Sequence, residues 1–175
     1  MQNPELQRRA RGIRLLALDV DGVMTDGSVT YSSDGQELKT FNIKDGLGIK
    51  LVQQAGIRTA IITGRQSSCV ERRARELGIA DLVQGREDKL TALEALCQQQ
   101  GLRLDECAYM GDDLPDLRAI RAAGLGLTVA DAVVQVRTSA DWCSDFPGGR
   151  GAVRQACEWL LELRQQRAAV EADWL

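Results

Sequence analysis

The feature that most constrains the fold is a regular alternation of short apolar runs with segments of helical length. The apolar runs, which we predict to be buried strands, span 14–20, 57–63, 80–84, 107–111 and 124–129. The predicted helices span 45–55, 67–77, 88–100, about 114–123 and 151–167. Several of them end at a glycine, which readily adopts the left-handed conformation that follows many helices. The pattern predicts an α/β fold: a doubly wound, Rossmann-like parallel sheet with helices on both faces.

One segment departs from this alternation. Residues 28–43, SVTYSSDGQELKTFNI, contain two short alternating stretches around Ser-Asp-Gly, which predicts a β-hairpin. The hairpin is inserted between the first strand and the first helix of the sheet, at the edge where open α/β sheets bind ligands. We therefore predict a single domain, 1–175, with a small hairpin insert at about 28–43 and a C-terminal tail at about 147–175.

Composition argues against several classes of function. The net charge of −3 disfavours nucleic acid or a membrane as a partner. No apolar run is long enough for a signal peptide or a membrane span, and the five scattered cysteines form no C-x-x-C pair. We therefore expect a cytoplasmic protein without a zinc or disulfide framework. Because the chain has no histidine, acid–base chemistry at neutral pH falls to carboxylates, lysines, cysteines or tyrosines.

Pairs of aspartates follow two of the predicted strands. Asp19 and Asp21 end the first strand in LDVDG, and Asp112 and Asp113 follow a later strand in YMGDD. The carboxyl ends of parallel strands converge on one crevice, where four carboxylates would repel one another unless a cation neutralised them. Oxygen ligands without histidine favour a hard cation, most simply Mg²⁺.

A second pattern at the same sheet edge indicates anion binding. Strand 57–63 ends in Thr63, Gly64 follows it, and Lys89 opens a later helix. A threonine hydroxyl and a backbone N–H near the glycine can donate hydrogen bonds to phosphoryl oxygens, and a lysine adds positive charge. Alone, each motif is more often a turn or a solvated charge, but their order along one sheet edge predicts a phosphate site beside the metal.

Together, LDVDGVMTDG, ITGR, Lys89 and GDD resemble the four motifs of the haloacid dehalogenase superfamily of phosphohydrolases, over 14 to about 163. The resemblance implies that Asp19 attacks phosphorus and forms an aspartyl-phosphate. It implies that Asp21 protonates the leaving oxygen and then deprotonates the attacking water. Thr63 and Lys89 are implied to hold the phosphoryl oxygens, and the hairpin to stand in place of a cap domain.

The resemblance also implies a set of metal ligands. It gives Mg²⁺ the carboxylate of Asp19, the main-chain carbonyl of Asp21 and the carboxylate of Asp112. It places Asp113 outside this set, as an indirect ligand.

Within the family, the resemblance narrows to phosphatases that remove the 8-phosphate of an eight-carbon sugar acid for lipopolysaccharide synthesis. The segments that carry it are FNIKDGLGIKLV, QGREDKL, YMGDDLPD and GGRGAVRQ. Because such a substrate carries a carboxylate besides its phosphate, we expect further cations around the site. The predicted substrate-binding residues are Asp21, Asn42, Ile43, Lys44, Asp45, Gly46, Lys50, Gly64, Arg65, Arg73 and Lys89.

The hairpin is too small to cover the crevice alone. Since a phosphatase must shield its intermediate from stray reactions, we expect a neighbouring subunit to supply the roof. The resemblance implies a homotetramer with the hairpins packed at its centre. Arg150, in FPGGRGAVRQ, is a candidate contact to a neighbour's site; alternatively, residues 148–151 only begin the last helix.

Three other functions remain open. The nearest alternative is a phosphatase of the same family that acts on a nine-carbon sialic-type sugar 9-phosphate. Enzymes of that type look to have a glutamate at the position of Arg65, so the arginine favours the eight-carbon substrate. A receiver-type signalling domain also combines Mg²⁺, acidic residues, a threonine and a lysine, but it has no D-x-D on one strand and no hairpin. An inactive regulatory homologue is opposed by the intact set of motif residues.

Overall fold

The computed structural model describes residues 3–174, so the predicted domain 1–175 extends beyond the described part at both ends. Its strands are β1 (Leu15–Leu18), β2 (Thr30–Tyr31), β3 (Glu37–Leu38), β4 (Arg58–Ile62), β5 (Asp81–Val83), β6 (Cys107–Gly111), β7 (Leu125–Thr128) and β8 (Trp142–Cys143). Six of them form one parallel sheet in the order β5-β4-β1-β6-β7-β8, and β2 and β3 pair separately as an antiparallel hairpin.

Helices flank this sheet. They are α1 (Pro4–Gly12), α2 (Ile43–Gln54), α3 (Ser68–Glu76), α4 (Lys89–Gln100), α5 (Leu117–Ala122), α6 (Val134–Arg137), α7 (Ala152–Leu163) and α8 (Arg167–Glu171). One group is formed by α2 packed on α7, which also contacts α1, and another by α4 packed on α5. The predicted α/β fold with a doubly wound parallel sheet is confirmed.

The central strand explains why the sequence pattern is apolar rather than alternating. All four residues of β1 are fully buried, because helices cover both faces of the sheet. Leu18, the last residue of β1, is paired with Ile61 on one side and with Met110 on the other. The residues that follow these strands therefore meet at one edge of the sheet, which is where the candidate site lies.

The structure corrects the extent of two predicted helices. The segment predicted as a helix at 114–123 begins with a 3₁₀ turn, Leu114–Asp116, before α5. The helix predicted at 151–167 already ends at Leu163, because Gln165 adopts a left-handed conformation with φ of 59°. The N–H of Gln166 then donates to the carbonyl of Leu161, which closes the helix end.

Four of the labelled elements were not predicted: α1, α6, α8 and β8. The start of α1 does carry sequence signals, since the Asn3 side chain accepts a hydrogen bond from the N–H of Glu5 and Pro4 occupies the first turn. By contrast, α6 has four residues and β8 has two, too few for a periodic pattern.

Two further observations concern composition. All five cysteines are free thiols, and the sulfur atoms of Cys97 and Cys107 lie 3.2 Å apart in the core. Within residues 3–174, no helix has the length and apolar character needed to cross a bilayer.

Candidate active site

Three carboxylates converge at the carboxyl edge of the sheet. One oxygen from each of Asp19, Asp112 and Asp116 lies within 4.8 Å of the others. Asp19 directly follows β1 and Asp112 directly follows β6, as the sequence predicted, whereas Asp116 ends the 3₁₀ turn and was not among the predicted residues. Asp19 and Asp116 are buried, at 7% and 1% exposure.

Asp116 holds the loop that carries Asp112. Its Oδ1 accepts a hydrogen bond from the buried Tyr109 hydroxyl at 2.7 Å, and its Oδ2 accepts from the N–H groups of Asp112 and Asp113 at 3.0 and 3.3 Å. The Asp113 carboxylate instead accepts from the N–H of Leu114 and is exposed. Asp116 thus supports the loop of Asp112, and the motif GDDLPD contained the signal, because its last aspartate closes the turn. The indirect metal role of Asp113 stays a prediction.

Lys89 is paired with the predicted nucleophile. Its Nζ donates to Asp19 Oδ1 at 2.6 Å and to the carbonyl of Ile62 at 2.9 Å, and lies 3.7 Å from Asp116 Oδ1. Its side chain is 4% exposed. The start of α4 fixes this lysine, since the preceding Asp88 caps the helix by accepting from the N–H of Thr91.

The cluster is electrostatically crowded. Burial, and then the charge of Asp116, raise the pKa of Asp19 from 3.8 to about 7 although Lys89 opposes the shift. Burial, and then Asp116 and Asp19, raise the pKa of Asp112 from 3.8 to about 8. A cation would relieve this repulsion, and a set of carboxylate oxygens without nitrogen or sulfur suits a hard ion such as Mg²⁺.

A crevice of about 350 Å³ opens onto the cluster. The predicted site residues that line it are Asp19, Asp21, Thr63, Gly64, Arg65, Lys89, Asp112 and Asp113. Thr63 is held firmly, because its N–H donates to the carbonyl of Val83 and its carbonyl accepts from the N–H of Arg86. The metal and phosphate patterns of the sequence therefore meet in one cavity.

Gly22 allows the D-x-D loop to pass close to Asp112. Its φ is +92°, and a Cβ at this position would lie 2.1 Å from Asp112 Oδ2. On the other side of the loop, a Cβ on Gly148 would lie 1.8 Å from the Gly22 carbonyl oxygen. Arg150 is 68% exposed and lies 3.5 Å from Asp26 of its own chain. The loop before α7 thus packs on the chain's own D-x-D loop, and the reach of Arg150 to a neighbour stays a prediction.

The hairpin borders the crevice through a chain of alternating charges. Lys39 Nζ donates to Asp21 Oδ1 and lies 3.4 Å from Glu37 Oε1. Glu37 Oε2 accepts from Arg65 at 2.7 Å, and this contact is the main cause that lowers the pKa of Glu37 below its usual value. Sequence reasoning missed Lys39 and Glu37, because nothing along the chain shows that a short hairpin turns these two side chains toward the crevice.

The remaining predicted substrate residues are not brought into this crevice. Ile43, Gly46, Lys50 and Arg73 line a separate cavity of about 230 Å³. Arg73 lies over the ring of Phe41 at 5.9 Å.

Two other predicted residues, Asn42 and Asp45, serve the local fold. Asn42 caps α2 by accepting from the N–H of Lys44, whose side chain is exposed. Asp45 is buried and accepts from the N–H of Arg154 at 2.8 Å. Substrate binding by all of these residues stays a prediction.

Comparison with known proteins places the fold and the site in a family. Residues 43–124 match the family described as haloacid dehalogenase-like hydrolase, and relatives match over most of the chain. The chain belongs to this family, as its motifs predicted.

Two curated relatives carry the same name. The 3-deoxy-D-manno-octulosonate 8-phosphate phosphatase KdsC of Salmonella typhimurium is 43% identical over 159 residues, which cover 91% of this chain and 85% of that protein. The KdsC of Escherichia coli K12 is 44% identical over 153 residues, covering 87% of this chain and 81% of that protein.

Solved structures are similar over almost the whole chain. The 3-deoxy-D-manno-octulosonate 8-phosphate phosphatase of Moraxella catarrhalis, crystallised with magnesium, phosphate and KDO, has a TM-score of 0.96 at 46% identity and covers 99% of this chain and 100% of that one. The cobalt-bound form of the corresponding phosphatase of Haemophilus influenzae has a TM-score of 0.88 at 37% identity, and it covers 92% of this chain and 94% of that one.

Proposed function

We propose that this chain is a Mg²⁺-dependent phosphomonoesterase that hydrolyses 3-deoxy-D-manno-octulosonate 8-phosphate to the free sugar acid and phosphate, in lipopolysaccharide precursor synthesis. The observation that carries the proposal is the pairing of buried Asp19 with Lys89 beside Asp112 and Asp116, all of which line the crevice. The names of the relatives support the choice of substrate, and the magnesium, phosphate and KDO in the Moraxella catarrhalis structure support both metal and ligand class.

The first step transfers the phosphoryl group to the chain. A carboxylate oxygen of Asp19 attacks phosphorus, and the bond from phosphorus to the sugar oxygen breaks. Asp21 gives its proton to the leaving oxygen and becomes a carboxylate. Lys89 and Thr63, which line the same crevice, stabilise the phosphoryl oxygens as negative charge develops.

The second step releases phosphate. Asp21 accepts a proton from a water molecule while the water oxygen attacks phosphorus, and the bond from phosphorus to Asp19 breaks. Both carboxyl groups thereby return to their starting states. We assign the metal to the carboxylates of Asp19 and Asp112 and the carbonyl of Asp21, with Asp116 behind them; when bound, Mg²⁺ supplies positive charge against the phosphoryl oxygens.

A panel of phosphate esters tests the proposal. With Mg²⁺ present, phosphate release is measured from 3-deoxy-D-manno-octulosonate 8-phosphate, a sialic-type 9-phosphate, glucose 6-phosphate and p-nitrophenyl phosphate. We expect kcat/KM to favour the first by at least about 100-fold, the discrimination that about 3 kcal/mol of selective contacts provides. Preference for the 9-phosphate would overturn the substrate and keep the chemistry, and absence of release from all four would reject the enzyme. The Asp19→Asn variant is the control for contaminating phosphatases.

We further propose a cytoplasmic homotetramer in which a neighbouring subunit covers the crevice. Three apolar side chains of the hairpin, Val29, Tyr31 and Leu38, are 50%, 60% and 52% exposed, which supports burial against other copies. The five free thiols support a reducing compartment. Light scattering coupled to gel filtration should give the mass of four chains, and Leu38→Glu should lower that mass, whereas Ser33→Glu in the exposed hairpin turn should not.

A further inference from the structure

Lys39 is the buried cation of the hairpin. Its side chain is 2% exposed, although the two-residue strands around it are largely exposed. A lysine is rarely buried to this degree unless it is paired. Here it contacts Asp21 Oδ1 and Glu37 Oε1, so its ammonium group lies between the crevice and the hairpin.

The contact selects one oxygen of Asp21. Because Oδ1 accepts from the ammonium group, Oδ2 is left as the oxygen that can carry a proton for the leaving group. After that proton has left, the same ammonium group stabilises the new carboxylate. A carboxylate on a glycine-flanked loop would otherwise sample several orientations, and proton transfer needs a distance near that of a hydrogen bond.

The other end of the charge chain is also anchored. Glu37 binds Arg65, and the Arg65 guanidinium reaches Tyr31 OH at 3.2 Å. The thiol of Cys69, on α3, donates to the Glu37 carbonyl at 3.7 Å. The ammonium group of Lys39 therefore has a fixed position relative to the sheet, although it stands on a short hairpin.

We propose that Lys39 is a positioning residue that acts through Asp21: it fixes the carboxyl group for protonation of the leaving sugar oxygen. The inference rests on the proposed function, since it presupposes the role of Asp21. It assigns the hairpin a part in the chemistry of its own subunit, in addition to covering the crevice.

Leaving-group dependence tests the inference. A sugar alkoxide needs a proton in order to leave, whereas p-nitrophenolate is a weak base that leaves without one. We expect Lys39→Met to lower kcat/KM for 3-deoxy-D-manno-octulosonate 8-phosphate by about 10- to 100-fold, part of the 10²- to 10⁴-fold that general acid–base catalysis contributes. For p-nitrophenyl phosphate, whose kcat/KM reports the first step alone, the change should stay below about threefold.

Three variants separate positioning from a purely structural role. Lys39→Arg keeps a cation next to Asp21 and should recover most of the loss on the sugar ester. Arg72→Met removes a cation whose side chain is 79% exposed on α3, and it should leave kcat/KM for both esters unchanged. Glu37→Gln loosens Lys39 without removing it, and should produce a smaller loss with the same substrate dependence. If Lys39→Met lowers the thermal unfolding midpoint so far that this variant does not fold, the substrate dependence of Glu37→Gln tests the inference instead.

Four outcomes would overturn the inference. They are equal loss on both esters, no loss on either, a rise in KM for the sugar ester with kcat unchanged, and no recovery in Lys39→Arg. Failure of the wild-type chain to release phosphate from the sugar ester would reject the proposed function itself, and this inference with it.

Discussion

The two sides of the crevice are built in opposite ways. On the sheet side, Asp19 and Asp112 follow central strands, and Asp116 is almost fully buried with hydrogen bonds to both of its oxygens. On the hairpin side, Glu37 lies on the two-residue strand β3 and Lys39 follows it, and their contacts with Asp21, Arg65 and Cys69 attach them to the rest of the molecule.

This difference separates the groups that react from the groups that position them and the substrate. The sheet side holds like charges together against their repulsion, which requires a rigid, closely packed frame. The hairpin side holds opposite charges around the buried Lys39, and the partners of this lysine keep part of their surface in water, where an ion pair contributes less. We therefore expect substitutions on the sheet side to abolish turnover or metal binding, and substitutions on the hairpin side to change how well a substrate is used.

The largest effect is expected at Asp19. Replacing Asp19 with Asn removes the nucleophile but keeps the shape of the side chain, so turnover should fall by at least about 10⁴-fold while the chain stays folded. Phosphate release measures the loss of turnover, and the thermal unfolding midpoint shows whether the variant stays folded. Asp105→Asn, at an exposed site, is the matched control. A variant that retained a tenth of the activity would remove Asp19 as the nucleophile.

Asp116 comes next, because it supports the metal site. Asp116→Asn loses the charge and turns an amide group toward N–H donors, so the Mg²⁺ concentration for half-maximal activity should rise by about 10- to 100-fold. The same change at Asp113, whose exposed carboxylate caps a turn, should do less. Equal shifts at the two positions would remove the distinction drawn between them.

On the hairpin side, Arg65→Lys should act mainly on binding. Lysine keeps the charge but loses the planar fork that reaches Glu37 and Tyr31, so KM for the sugar acid phosphate should rise by about tenfold, with little change in kcat. Steady-state kinetics on the same ester measure this. A fall of more than about 100-fold in kcat would place Arg65 with the sheet side.

The smallest effect concerns stability and pH. Burial and mutual repulsion raise the pKa of Asp19 to about 7 and that of Asp112 to about 8, both above the ordinary value of 3.8. An acid whose pKa is raised in the folded state contributes to the free energy of unfolding while it is protonated. This contribution is complete below about pH 4 and is lost as the pH rises through 7 and 8. In EDTA, the unfolding midpoint should therefore fall by on the order of 5 °C between pH 5.5 and pH 8.5, and Mg²⁺ should restore it.

The matched variant for this measurement is Asp112→Asn, which removes one of the two titrating acids. Its unfolding midpoint in EDTA should depend less on pH than that of the wild-type chain. A fall of the same size in both proteins would assign the pH dependence to other groups.

Much of the sheet side could be predicted from the sequence. Apolar runs that end in Asp19, Thr63 and Asp112 are local signals, and parallel topology brings their ends together. Asp116 was missed although it is four residues from Asp112, because its role depends on the buried Tyr109 hydroxyl, which no local pattern reveals.

The hairpin side could be located but not described. The sequence predicted the hairpin turn. The contacts of Lys39 and Glu37, however, depend on how the short hairpin packs against α3 and the D-x-D loop. In the same way, Asn42 caps the start of α2 and Asp45 accepts from an N–H in the first turn of α7, whereas the sequence analysis had assigned both residues to substrate. Capping and ligand binding call for the same polar residues, so one sequence cannot tell them apart.

Gly148 has no functional group, yet it limits what the metal site tolerates. It touches the Gly22 carbonyl, and Gly22 in turn faces Asp112, with no space for a methyl group at either contact. Three segments that are distant along the chain are thereby packed in direct contact, so a single added carbon in the C-terminal loop would displace Asp112, the proposed metal ligand. We therefore expect the affinity for metal to depend on the close packing of these backbones as well as on the carboxylates.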